Sequence, residues 1–291
     1  MAIIETKNLT KFYKNGRGIE DLSLSVQEGE CFGFIGPNGA GKSTTIRLLL
    51  GLLTPTSGEA SVLGLPLSRS AEYLAEVGYM PGEAIFYNAM RAEEVIAYSA
   101  KLRRKDCSNE AKRLMDALEI DPRKKIGELS LGNRKKVSIV CALQHSPALC
   151  ILDEPTGGLD PLMQKIFFDL LKEKRKAGAT IFISSHILSE VQQNCTRAAI
   201  IKNGKLAAVG NVSELSGAAV KRVTLKGVST LPDGLNVSSL TAEGDAISFL
   251  FRGSPQELIS ALNGLPIEDL NVSDPDLSEV FLHYYQGGSA Q

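Results

Sequence analysis

No stretch of this 291-residue sequence approaches the ~20 uninterrupted apolar residues of a helical membrane span. Its first residues, Met-Ala-Ile-Ile-Glu-Thr-Lys, lack the basic region and apolar run of a secretory leader. The expectation is a soluble, cytosolic chain. A dominant charge is missing too: 32 Lys and Arg stand against 33 Asp and Glu, net −1 and interspersed. That excludes a broad electrostatic footprint for DNA or RNA, so no nucleic-acid partner is expected. Cysteine is sparse, with Cys31, Cys107, Cys141, Cys150 and Cys195 scattered, odd in number and without a Cys-x-x-Cys pair. This argues against a zinc or disulfide framework and for reduced thiols in apolar positions. Histidine occurs only at 145, 186 and 283, which disfavours a histidine metal cluster. Matches to Asn-x-Ser/Thr, such as Asn8-Leu-Thr, carry no weight in a chain expected to meet no glycosylation machinery.

What is present reads as α/β. Residues 2 to about 30 alternate as antiparallel strands around a Gly16-Arg-Gly18 turn, with Leu22, Leu24 and Val26 set between polar residues. A turn at Pro55-Thr-Ser-Gly58 leads to a strand over 59–64. From about 83 to 146 there is no strand-like run but helical spacing, as in Ala111, Leu114, Met115 and Leu118 after a Ser108 cap, which predicts an inserted helical subdomain. Continuous apolar runs at 148–152 and 180–184, separated by a helical stretch over 162–176, have the grammar of a parallel sheet. Asn203-Gly204 between two apolar runs predicts a tight hairpin. The core is expected to end near Gly210, giving a domain over 1–216 and a small α+β domain over 217–291. The latter has strands at 223–225, 246–251 and about 267–272, a helix opened by the Ser254-Pro-Gln-Glu257 capping box and ending at 263, and a last helix over 277–285.

The strongest motif is Gly36-Pro37-Asn38-Gly39-Ala40-Gly41-Lys42-Ser43-Thr44, which follows the apolar run 31–35 and opens a helical run. Glycines let backbone N–H groups converge on phosphate oxygens, and the helix directs its positive end at them. Lys42 is expected to reach the β- and γ-phosphates of a nucleotide triphosphate and Ser43 to ligate Mg²⁺. Asp153 and Glu154 end the 148–152 run, where open α/β sheets bind ligands. The expectation is that Asp153 holds Mg²⁺ through water and Glu154 polarises the water attacking the γ-phosphate; taken alone, both could be solvated acids. Leu129-Ser130-Leu131-Gly132-Asn133 opens a helix with a hydroxyl and a glycine N–H, a second anion site or an ordinary cap.

Taken in order, the phosphate loop, the Leu-Ser-x-Gly-x signature, Asp153-Glu154-Pro155-Thr156, Gly158-Leu159-Asp160 and Ser185-His186 closely resemble the ATP-binding cassette family over roughly residues 2–216. The resemblance implies a P-loop NTPase core with an antiparallel β layer and a helical subdomain, binding ATP and Mg²⁺. It implies a two-fold dimer in which Ser130, Leu131, Gly132 and Asn133 close over the partner's ATP and Asp160 couples the two sites. It also implies catalytic roles for Glu154, Lys42 and His186, with His186 contacting the γ-phosphate, and adenine stacking on Tyr13, or on neighbouring Phe12. Leu131 and Asn133 depart from the usual Gly and Gln. In Gly78-Tyr-Met-Pro-Gly82-Glu83 the usual Gln is replaced by Gly82, leaving open whether Glu83 substitutes for it or is a plain turn acid.

The implied function is the ATPase subunit of a transporter, peripheral on the cytoplasmic face of the membrane, serving a separate integral membrane subunit. Bacterial drug and peptide exporters look similar, including the tail at Pro275–Leu282. Homodimer and heterodimer with a similar subunit are both open. The alternative, a soluble cassette ATPase in repair, translation or iron–sulfur assembly, is disfavoured because 42–130 shows no sustained heptads and no second phosphate loop occurs.

Overall fold

The computed structural model describes residues 1–14, 16–215, 220–228, 230–232 and 235–273. The chain divides into two compact units, Met1–Val209 and Gly210–Gln291. In the first, β1 (Ala2–Phe12) and β2 (Gly18–Gln27) pair antiparallel, with Leu22, Leu24 and Val26 buried between polar neighbours as period-two alternation requires. β3 (Cys31–Ile35) follows, buried at every position, and the phosphate loop joins it to α1 (Lys42–Leu49). β4 (Ser57–Val62), β5 (Leu65–Pro66) and α2 (Ser70–Tyr73) lead to β6 (Val77–Met80). Three helices come next, α3 (Ala92–Leu102), α4 (Ser108–Ala117) and α5 (Leu131–Leu143). The chain closes the unit with β7 (Leu149–Asp153), α6 (Pro161–Lys176), β8 (Thr180–Ser185), α7 (Leu188–Asn194), β9 (Arg197–Lys202) and β10 (Lys205–Asn211).

Two sheets form, in the orders β2-β1-β4-β5 and β10-β9-β3-β8-β7-β6. In the second, β9, β3, β8, β7 and β6 run parallel. Its inner strands β3, β7 and β8 are buried along their length, and their central residues are apolar because both faces are covered. One apolar cluster joins both sheets and α1, including Ile4, Leu22, Phe32, Phe34, Ile46 and Phe182. Each such side chain contributes about 1.5–3 kcal/mol on burial. Tyr73 sits inside it fully buried because its hydroxyl donates to the Leu49 carbonyl at 2.7 Å. Among the described residues no helix is long and apolar enough to cross a membrane.

Two local expectations are corrected. Val77–Met80, assigned no element from the sequence, is the edge strand β6, paired in register with Leu149–Leu152. Four residues containing a glycine are too few to show a period, and Gly78 is required by packing: a Cβ there would sit 2.2 Å from the Ala142 carbonyl of α5. Ser108 is not the cap of α4 but its first residue: Cys107 stands at the N-cap without a side-chain capping bond, and the Ser108 N–H donates to Asp106 Oδ1 at 3.0 Å.

In the second unit, α8 (Val212–Leu215) precedes β11 (Val220–Lys226), β12 (Val237–Glu243), β13 (Ala246–Arg252), α9 (Pro255–Leu262) and β14 (Asp269–Ser273). The antiparallel sheet runs β12-β13-β11-β14, and Val223, Leu225, Phe249, Leu258 and Leu262 share its core. The capping box of α9 is reciprocal: Glu257 N–H donates to Ser254 Oγ and Ser254 N–H to the Glu257 carboxylate. β12 went unread because its side chains are almost all exposed, leaving no apolar alternation. The helix expected over 277–285 and the tail at 275–282 lie outside the described residues.

Candidate nucleotide site

The phosphate loop runs from the buried end of β3 to the first turn of α1, with Gly39 at φ 80° and Gly41 at φ 99°. Both lie in the left-handed region, which explains two of the three glycines. Ala40 N–H closes the loop on the Pro37 carbonyl at 3.1 Å, and Gly204 N–H donates to the Ala40 carbonyl at 2.8 Å. The Asn203-Gly204 hairpin therefore buttresses the loop from β9 and β10. Lys42 is buried, its ammonium donating to the Gly36 carbonyl at 2.9 Å and lying 2.9 Å from the Glu154 carboxylate. The Ser43 hydroxyl donates to Asp153 Oδ2 at 2.8 Å.

The strand order sets β8 between β3 and β7, so their C-terminal ends converge. Ser184, at the end of β8, donates from its hydroxyl to Asp153 Oδ1 and accepts the Glu154 N–H at its carbonyl and hydroxyl, 3.1 and 3.2 Å away. Glu154 itself has φ 46°, a left-handed conformation that costs a non-glycine residue about 1–2 kcal/mol. Its carboxylate lies between Lys42 and His186 Nδ1, the latter at 3.3 Å. Burial pushes the Glu154 carboxyl up, but the hydrogen bond and charge of Lys42, with His186, outweigh it and hold the carboxyl below its ordinary value. A carboxylate kept ionised at this place has the charge state that accepting a proton from water demands.

A hydroxyl and a carboxylate 2.8 Å apart, Ser43 and Asp153, are hard oxygen donors suited to Mg²⁺. Among the described residues no three His, Cys, Asp or Glu side chains cluster as a metal cage. The ion that fits is thus one completed by phosphate and water oxygens.

Bonds join Lys42, Ser43, Asp153, Glu154 and His186 into one cluster. Of the other expected site residues, Gly82 borders it, while Ser130, Asp160 and Tyr13 have their contacts elsewhere. Ser130 caps α5, accepting the Asn133 N–H at 3.3 Å, while Leu131 is exposed and Gly132 lies so close to Gly158 that a Cβ would meet its carbonyl at 2.5 Å. Asp160 caps α6 by accepting the Met163 N–H at 3.0 Å. Tyr13 is partly exposed at the end of the β1–β2 hairpin with the Lys11 ammonium 5.9 Å from its ring centroid, and Phe12 is exposed beside it. A Cβ at Gly82 would lie 3.7 Å from Asp153 Oδ2, whereas the neighbouring Glu83 is exposed to solvent.

Two members were missed. Ser184 is the polar residue ending an apolar run, a signal that could have been read. Lys135, whose buried ammonium donates to the Glu154 carbonyl at 2.7 Å, gave none inside the Arg134-Lys135-Lys136 run.

Comparison with known proteins agrees with this geometry. The family described as "ABC transporter" matches residues 19–157. The bacitracin transport ATP-binding protein of Bacillus licheniformis is 33% identical over 99% of this chain and 99% of its own. An uncharacterized ABC transporter ATP-binding protein of Synechocystis is 31% identical over 96% of this chain and 84% of its own. A solved ATP-binding subunit of an ABC transporter superposes with a TM-score of 0.69 at 32% identity, covering 73% of this chain and 91% of that one. A dimeric ATP-binding cassette bound to ADP and Pi, at 23% identity and a TM-score of 0.64 over 72% of this chain and 98% of that one, shares the fold. With a phosphate loop, a strand-end carboxylate pair and relatives similar along its whole length, this chain belongs to the ATP-binding subunits of ABC transporters.

Proposed function

We propose that this ATPase subunit powers export of a drug- or peptide-like substrate through a separate membrane-spanning subunit, from the cytoplasmic face of the membrane. The observation that carries the hydrolytic half is the contact of Glu154 with both Lys42 and His186. The export half is supported by the bacitracin transport relative, alike over 99% of both chains. In this reading residues 36–44 hold the ATP phosphates, Tyr13 stacks on adenine, and Lys42 and His186 bind the γ-phosphate. Glu154 accepts the proton of a water as its oxygen attacks phosphorus and the bond to ADP breaks. Ser43 and Asp153 would hold Mg²⁺, which neutralises charge on the phosphate oxygens. Ser130, Leu131, Gly132 and Asn133 would complete the site of a second ATPase subunit, identical or similar, with Asp160 at the interface. The region 1–216 does this work, and 217–291 is an accessory domain.

The test is Glu154→Gln: ATP binding persists, turnover is lost and a nucleotide-bound dimer accumulates in size-exclusion chromatography. Hydrolysis at the wild-type rate would remove Glu154 from its role. Co-purification with the membrane subunit, and loss of export in its absence, tests the transport half.

A further inference from the structure

Helix α5 carries more than the Ser130 turn at its start. One turn further along, Lys135 is 3% exposed and donates to the Glu154 carbonyl at 2.7 Å. A buried ammonium is costly to hold without a partner, and burial pushes its pKa down against the opposing charges of Asp153 and Glu154. The residue it grips is one whose backbone is disfavoured, at φ 46°. The Glu154 N–H is already held by Ser184. Glu154 is therefore pinned from both sides, its N–H by β8 and its carbonyl by α5.

We propose that Lys135 is a positioning residue for hydrolysis: its ammonium locks Glu154 in the left-handed conformation that directs the carboxylate between Lys42 and His186. The proposal rests on the reading of Glu154 as the group that polarises water. Without the lock, Glu154 relaxes toward ordinary φ and its carboxylate leaves the Lys42 and His186 contacts. The phosphate loop, whose own bonds run to Gly36, Pro37 and Gly204, keeps its shape. The same bond ties Glu154 to the helix whose first turn bears Ser130 and Gly132. Displacement of that turn by a second subunit's nucleotide is then felt at this chain's own base.

The experiment compares Lys135→Met, Lys135→Arg and Glu154→Gln in the full chain. For Lys135→Met, kcat falls at least ~10-fold, as expected for losing a charged hydrogen bond that acts in the chemical step. KM for ATP and the affinity for a fluorescent ATP analogue stay within about twofold. Lys135→Arg, which keeps a donor, recovers part of kcat. If Glu154→Gln hydrolyses normally, the reading of Glu154 falls and the lock with it. If Glu154→Gln is inactive while folded Lys135→Met turns over at the wild-type rate, the lock alone is wrong. Equal loss of kcat and ATP affinity in Met and Arg variants marks a packing role and overturns it too. Should Lys135→Met fail to fold, Lys135→Gln is read by the same split of kcat against KM.

Discussion

The Lys42 ammonium lies 2.9 Å from the Glu154 carboxylate while donating at 2.9 Å to the Gly36 carbonyl. One cation therefore ties the loop at 36–44 to the carboxylate proposed to take the proton of the attacking water. The ion pair is also what outweighs burial in keeping Glu154 ionised. Lys42→Ala should lower ATP affinity by ~10–100-fold, the worth of a charged hydrogen bond or two, as read by titration calorimetry. It should also move the Glu154 carboxyl titration upward in ¹³C NMR. An unmoved titration would show that Lys42 does not set that charge.

At Gly82 the backbone leaves room for a side chain aimed at Asp153, with the nearest atom to a Cβ 3.6 Å away, ordinary van der Waals contact. Gly82→Gln should thus be accommodated with a melting temperature near wild type and should lower the Mg²⁺ concentration needed for half-maximal hydrolysis. Glu83→Ala should leave that concentration unchanged, because the Glu83 side chain is exposed to solvent. A Mg²⁺ requirement raised by Glu83→Ala and untouched by Gly82→Gln would reverse the assignment.

Gly132 is a helix residue where alanine would ordinarily stabilise by about 0.5–1 kcal/mol. Here the Cβ would stand 2.5 Å from the Gly158 carbonyl, a backbone atom that cannot swing aside. Gly132→Ala should therefore lower the melting temperature and slow hydrolysis, whereas Leu131→Gly, at an exposed position, should cost far less stability. Differential scanning calorimetry of the two separates the explanations.

His145, just beyond α5, is 4% exposed. Burial, helped by the Arg103 charge, pushes its pKa down to about 4 from 6.5. Between those values the unfolded chain binds a proton that the folded chain does not. Its contribution is thus intact above pH 6.5 and declines as pH falls toward 4, by up to about 1.4 kcal/mol per pH unit. Urea melts from pH 7 to 4 should show a shallower loss in His145→Gln than in wild type. Parallel curves would mean that His145 protonates freely in the fold.

Much of the site was legible because its pieces are local. The loop 36–44 carries its glycines, lysine and hydroxyl within one turn, and Asp153-Glu154 follows an apolar run that must be an inner strand. Ser254 and Glu257 announced their capping box for the same reason. What escaped was weak or distant. β6 is four residues with a glycine, β12 buries almost nothing, and α4 starts after Cys107, a cap residue with no capping side chain that the Ser108 signal masked.

Residue type and spacing alone decided that this chain holds phosphate, since the conformations demanded of Gly39 and Gly41 and the donors that follow them are properties of a short segment. Only the tertiary structure decided which residues meet. Ser43 and Asp153 stand 110 positions apart, yet bond because β8 lies between β3 and β7 and brings their ends together. Lateral strand order is set by long-range packing rather than by local pattern. For that reason the grip of Lys135 on Glu154 could be found only in the folded chain.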